Sequence, residues 1–446
     1  MSPKRPAFAD CLASPSPRTR GLAMPILGFL LCGQLTGCFL IPTVAVSDCV
    51  CDMGQICTEG NVCQAKPDGE MPDADMKPPC IYNSECDGSV CEYNSADIMA
   101  NRCLSMDMLV FVGDPSNCNN VTADGTRQNP YCTINKAIDV VTTSGSGQAI
   151  RLLADVNYGS LDSSKFTGKS LTIYGPYEPR PNVNPMLANI NLSGSPAVRL
   201  NGDNTKFVMD GVTIAQSKYP AVGAVECRDL AKLSLRRTII RESNVMGLHS
   251  QNCAEISVDR TQIVKNAGAI YIEGKDTKYM IQNSLIADNI NPGSDLSTIS
   301  LSGGKGLVRF NTIVNNRTMQ YAGAFKLMMP VDVQEIYASI IYNNELSNIS
   351  TPSQFYPLSG FLLKSATVGS VAQYLPFNVI DIRAKDPLFV DQLRLNYRLV
   401  DDTATVGPNS QCCLIQLDGA SDLRIDLFGN QRTKKTTIGA VSNDAT

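Results

Sequence analysis

Short runs made of a polar residue, two aliphatics and a closing Asn recur along the chain: "NSLIADN" from Asn283, "NTIVNN" from Asn311 and "ASIIYNN" from Ala338. Alignment on one aliphatic position sets Ile214, Ile240, Ile263, Ile286, Ile313 and Ile341 in a series spaced 26, 23, 23, 27 and 28 residues apart. A quasi-period in the twenties marks a solenoid, in which each repeat is one coil that cannot bury its apolar face alone. Five residues ahead of each anchor stand Met209, Leu235, Val258, Ile281, Val308 and Ile336, all apolar. Two residues ahead stand Val212, Thr238, Thr261, Ser284, Asn311 and Ser339, mostly small. Alternation of this kind predicts strand, not helix. A second strand follows in each unit, at "GLHS" from 247, "GAIYIEG" from 268, "STISLSGG" from 297 and "GAFKLMM" from 323. Between the two come Ser217, Ser243, Asn266, Asn289, Asn316 and Asn344. Asn tolerates a left-handed backbone and hydrogen-bonds its neighbours in a turn, so these residues are expected to stack as a structural ladder at one corner.

The chain has 446 residues, 18% of them charged, with a net charge of -4 and a pI near 5.3, which argues against a nucleic-acid partner. Its 17 cysteines point to an oxidising compartment. Residues 1–37 read as a signal peptide: Lys4, Arg5, Arg18 and Arg20 precede the apolar "GLAMPILGFLLCGQLTGC", which is short for a membrane span. Residues 38–105 are cysteine-dense. Cys49, Cys51, Cys57 and Cys63 form one group, Cys80, Cys86, Cys91 and Cys103 a second, and the Pro/Asp-rich "QAKPDGEMPDADMKPP" links them. No C-x-x-C pair is present and the only histidine, His249, is remote, so disulfides are favoured over zinc. Segments this short bury little core, and the bridges are expected to stabilise them by about 2–4 kcal/mol each. Four cysteines allow three pairings, between which the sequence does not choose. Cys227 and Cys253 lie one coil apart, so they should stack, as a disulfide in this compartment or otherwise as a buried thiol pair.

Two resemblances add to this reading. The end of the signal segment, "LTGC", resembles the lipobox of bacterial lipoproteins, which implies cleavage before Cys38 and lipid on its thiol. With about 0.8 kcal/mol gained per buried methylene, a bacterial anchor of several acyl chains would hold durably. Phe39 follows it; resemblance to Gram-negative lipoproteins implies that the absence of Asp there permits sorting to the outer membrane. From Leu109 the run "LVFVGDPSNCNNVTADGTRQNPYCTINKAIDVV", then "IRLLADVNYGS" and "KSLTIYGPY", resembles the start of right-handed parallel β-helix proteins of the pectin-lyase-like superfamily. That likeness implies a capping helix over Thr133 to Val141 and a loop clamped by Cys118 and Cys132. Near the other end, "DPLFVDQLRLNYRLV" at 386 and "DLFGNQRTKKTTIGA" at 426 resemble the choice-of-anchor Q domain. Its "SPAID-G" stretch is replaced by "DTATVG" at 402, and the vicinal Cys412 and Cys413 are an addition.

The fold expected is therefore all-β: a parallel β-helix over 106–400, a terminal cap over 401–446, and a disulfide-rich stalk in front. Polysaccharide lyases of this fold need carboxylates for calcium and a cationic base. Asp210, Asp259 and Asp288 do not share one register with such a base in this reading, and Arg236, Arg237, Arg260 and Arg309 read as a solvated face. Glycosidases need paired carboxylates at set separation. "NTI" at 311 lacks the acid and "GLHS" at 247 lacks the histidine motif of the family's polygalacturonases. Asp124 in "ADGT" reads as a turn residue, with a calcium ligand as the alternative; no other cofactor is expected. His249 reads as a surface strand residue. The chain is thus expected to be a monomeric, lipid-anchored surface protein with a binding or structural role toward glycans or other surface macromolecules. The alternative is a polysaccharide lyase or glycoside hydrolase.

Overall fold

A computed structural model describes residues 83–92 and 101–318 almost without interruption, together with Cys80, a hairpin between 55 and 65, scattered strands from 325 onward, and Asp426 and Leu427. The chain divides into two compact units, Met1–Met76 and Lys77–Thr446. In the first unit, strands Gln55–Thr58 and Val62–Ala65 pair antiparallel with Cys57 opposite Cys63. Cys38, Cys49, Cys51, Asn344, Cys412, Cys413 and most of 401–446 lie outside the described residues.

The second unit is a parallel β-solenoid. Each full coil has three strands. The coil at 255 is representative: a five-residue strand Glu255–Asp259, a corner, a three-residue strand Gln262–Val264, a second corner, and a strand Ile270–Glu273. First strands stack on first strands from Leu109–Val112 through Lys305–Arg309, and third strands from Val198–Leu200 to Phe325–Leu327, all in parallel. The anchor isoleucines pair in one column, Ile214 to Ile240, Ile263, Ile286, Ile313 and Ile341, and each is fully buried. Full burial of an isoleucine contributes about 1.5–3 kcal/mol, so this column alone is a large part of the core.

The sequence alignment ran one strand through what are two. A residue five positions ahead of the anchor could not share its face within a single strand, yet Met209, Leu235, Val258 and Ile281 are as buried as the isoleucines. The corner between resets the alternation. Its first residue is left-handed, with φ of 46° at Arg237, 50° at Arg260, 49° at Asn283 and 53° at Phe310. Its next residue carries a small polar side chain that accepts an amide proton from the coil before: Thr261 N–H donates to Ser284 Oγ (3.1 Å), Ser284 N–H to Asn311 Oδ1 (3.0 Å) and Asn311 N–H to Ser339 Oγ (3.2 Å). The second corner is built the same way. Lys265, Asp288 and Asn315 are left-handed at 56°, 55° and 54°, and the following Asn266, Asn289 and Asn316 form the ladder. Asn266 N–H donates to Asn289 Oδ1 and Asn289 N–H to Asn316 Oδ1, each 3.0 Å. The strained residue is thus the one before each Asn, not the Asn itself, which instead supplies acceptors to backbone that a sharp turn would otherwise leave unpaired.

The helix Ile134–Ser144 starts one residue later and ends three later than expected. Its Ile134, Ala137, Ile138 and Val141, at helical spacing, are buried in the core cluster that begins with Val110 and Val112. Cys118 bridges Cys132, and Cys227 bridges Cys253. Cys80 bridges Cys91 and Cys86 bridges Cys103, one of the three pairings the sequence allowed.

This second cysteine group does bury a core, contrary to expectation. Its Val90 is fully buried with Leu109, Phe111, Ala149 and Tyr174 on the outer face of the first coils. The two disulfides hold that loop against the sheet, so residues 80–103 are a docked module of the solenoid.

Candidate functional site

The outward side chains of the first strands form three columns along the solenoid. Nearest the start of each strand stand Lys206, Lys232, Glu255, Lys278 and Lys305, in direct register. Next come Val208, Ser234, Ser257, Met280 and Leu307, and beyond them Asp210, Arg236, Asp259, Gln282 and Arg309. A groove of about 380 Å³ runs over these strands. Val208, Ser234, Ser257 and Met280 belong to its lining, with lysines along one side and Arg236 on the other. Five cations and a single carboxylate, Glu255, line it, on a chain whose formal net charge is -4.

Stacked strands place equivalent positions about 4.8 Å apart, well inside the Debye length of about 8 Å at physiological salt, so the lysines repel one another. Like charges directly opposite on adjacent strands destabilise a sheet. Glu255 relieves part of this, lying 3.9 Å from Lys232 with both side chains more than half exposed, an arrangement that contributes little to stability. The column is a cost to the fold that an elongated anion would offset.

Sequence reading missed these lysines. The signal was available: Lys206, Lys232, Glu255, Lys278 and Lys305 each stand eight residues ahead of an anchor isoleucine. Only the registered stacking turns that offset into a line of charge.

Two readings of charged residues are corrected. Arg237 and Arg260 are fully buried, not solvated, because both occupy the left-handed corner position that other segments of the chain cover. Arg237 donates from Nε to Asp210 Oδ1 (2.5 Å) and from Nη2 to Asp210 Oδ2 (2.7 Å), and Nη2 also reaches the Cys91 carbonyl at 3.4 Å. Burial by itself pushes the guanidinium down, but the Asp210 carboxylate outweighs it and holds Arg237 above its ordinary value. Arg260 donates from Nε to the Leu427 carbonyl at 3.3 Å. Beside it Gln262 donates to the buried Tyr177 hydroxyl at 2.9 Å, and burial raises that phenol far above its usual range. Arg236 and Arg309 are half-buried.

Asp210 and Asp259 do share a register after all, with Arg236 between them, while Asp288 sits at the other corner. Both carboxylates are buried; Asp210 is occupied by Arg237 and Asp259 accepts from Asn283 Nδ2 at 3.2 Å. Asp124 makes a turn, its Oδ1 accepting the Thr126 N–H at 2.9 Å, and side-chain and backbone bonds from Thr126 hold its pKa low.

The third strands present Arg199, Glu226, His249, Tyr271 and Ser300 in another outward column. Glu226 accepts from Val222 N–H, Arg199 Nε and Arg228 Nη2, at 3.0, 2.9 and 3.1 Å. His249 is half-buried and stacks on Tyr271 with ring centroids 5.1 Å apart. Burial lowers the His249 pKa, against the opposing pull of Glu226. Burial raises the Tyr271 phenol to about 12, helped by Glu273, to which its hydroxyl donates at 3.1 Å.

No protein-family model, curated protein or solved structure matches the chain. Coil geometry establishes the solenoid; kinship with a superfamily is a likeness of the quoted residues alone. Among the described residues no helix is long and apolar enough to cross a membrane. The cluster Cys80, Cys86 and Cys91 has a metal-like spacing, but all three sulfurs are in disulfides.

Proposed function

We propose that this is an exported, lipid-anchored β-solenoid that binds linear acidic glycans along the groove over its first strands. The observation that carries this reading is the registered column Lys206, Lys232, Lys278 and Lys305 beside an open floor. A polyuronate carries one carboxylate per sugar along an extended chain. Cations on four of five successive coils, with Glu255 on the remaining one, meet such a ligand at several points, each weak and all screened by salt. Paired-carboxylate hydrolysis finds less support, since Glu255 is the sole carboxylate in the described lining. The membrane partner in this proposal is supplied by lipid on Cys38.

Two experiments test it. Binding of alginate and polygalacturonate by the full-length protein should weaken at least tenfold in Lys232→Ala/Lys278→Ala and fall steeply with added salt. An unchanged affinity in that variant would refute the groove reading. Cys38→Ser should abolish lipid labelling and release the protein from the membrane fraction; retained labelling would refute the anchor.

A further inference from the structure

The columns that floor the groove do not begin with it. The floor column runs back from Val208 to Thr172, Ala149 and Leu109, and the next runs from Asp210 to Tyr174, Arg151 and Phe111. Thr172 is half-open; on the two coils before it the disulfide module stands on both columns. Val90 packs on Leu109, Ala149, Phe111 and Tyr174, and the floor is covered there, with Leu109 4% and Ala149 7% exposed. From Ser234 to Leu307 the same column is half-open. The module is fastened on the side toward the groove as well, where Arg237, one coil beyond the start of the lining at Lys206, donates to the Cys91 carbonyl. Its two disulfides and the Asn101 side chain, which donates to the Cys80 carbonyl at 2.9 Å, keep it compact.

We propose that the groove is blind at its amino-terminal end, and that the protein therefore binds the terminus of a linear acidic glycan and not its interior. This rests on the groove reading above. The lysine column from Lys206 to Lys305 spans four coil intervals, about 19 Å. An internal stretch of polyuronate lying on that column would have to continue in both directions. Toward Lys305 the column sets no such stop among the described residues. Toward Lys206 a chain following the floor meets the module two coils before Val208, at Ala149, and a stiff polysaccharide would have to leave the surface to pass it. A chain end needs no such exit. Because the two ends of a glycan differ in direction, one end of each chain fits.

The test is the number of protein molecules bound per glycan chain at saturation, measured by sedimentation or calorimetry on full-length protein with alginate fractions of increasing length. End recognition predicts one protein per chain at every length, and a lower apparent affinity per unit mass as the chains lengthen. A number that grows in proportion to length would overturn it while leaving the groove reading intact. Absence of binding at every length would sink the groove reading itself, and this inference with it. Val90→Asp, which should undock the module, is expected to convert one-per-chain binding into length-proportional binding; if the variant instead unfolds, the wild-type stoichiometry still decides.

Discussion

The buried pair Asp210 and Arg237 ties three parts of the fold together, and Arg237→Ala is the perturbation that isolates it. Neither side chain is solvent-accessible, and two charge-assisted hydrogen bonds of 2.5 and 2.7 Å join them. Truncation leaves the buried Asp210 carboxylate without its hydrogen-bonded partner, with Arg151 and Arg236 as the remaining neighbouring cations, which costs about 3–5 kcal/mol for a buried pair. It also removes the donor to the Cys91 carbonyl, a contribution of about 1 kcal/mol. Backbone strain is not a factor, since Ala and Arg meet the same penalty at a φ of 46°. For a domain of this size the loss corresponds to a fall in melting temperature on the order of 10 °C. Differential scanning calorimetry of the full chain reads it, with limited proteolysis of the disulfide module as a second observable. Lys would keep the charge but not the two-pronged geometry, so Arg237→Lys should recover only part of the loss. Arg237→Met/Asp210→Leu should recover most of it, because an apolar replacement of both partners leaves nothing uncompensated. A shift no larger than that of the exposed Lys232→Ala, or a double variant as damaged as the single, would refute the reasoning.

Asn289→Leu removes the acceptor for Asn266 N–H and the donor to the Ile263 carbonyl, leaving buried backbone unpaired; a loss of about 2–4 kcal/mol is expected by denaturant titration, and a loss under about 0.5 would show that the ladder is decorative. His249 is the chain's only histidine, and burial holds its folded pKa below the ordinary value, so between the two values the unfolded chain binds more protons. Stability should therefore fall as pH drops from about 7.5 to about 5.5, and His249→Gln should flatten that slope; an identical pH profile in the variant would rule out His249 as its source. Glu226, Arg228, Glu273 and Tyr271 face the same imidazole; the Glu226 carboxyl is held below its ordinary value and the Tyr271 phenol above its own, so neither is the source of this slope.

Burying one aliphatic per coil needs a repeated residue type at a fixed interval, and intervals survive in one dimension. That is why the column of Ile214 through Ile341 and the Asn corner were legible before any coordinates, whereas the capping helix was expected only from the resemblance of the run after Leu109. The neighbours of those residues were not. Arg237 and Arg260 follow strands whose outward positions are polar, so they read as solvated; only the docking of Cys91 and Leu427 over that corner buries them. The stalk expected from eight cysteines is in part a module docked on the solenoid, because Val90 finds an apolar patch of Leu109, Phe111, Ala149 and Tyr174 that no local pattern announces. The lysine column was written in the sequence as an offset of eight from each isoleucine, but an offset carries no charge density. Parallel stacking at the strand spacing brings residues more than twenty positions apart within one Debye length of each other, and that compression, which only the tertiary structure performs, makes scattered lysines a groove.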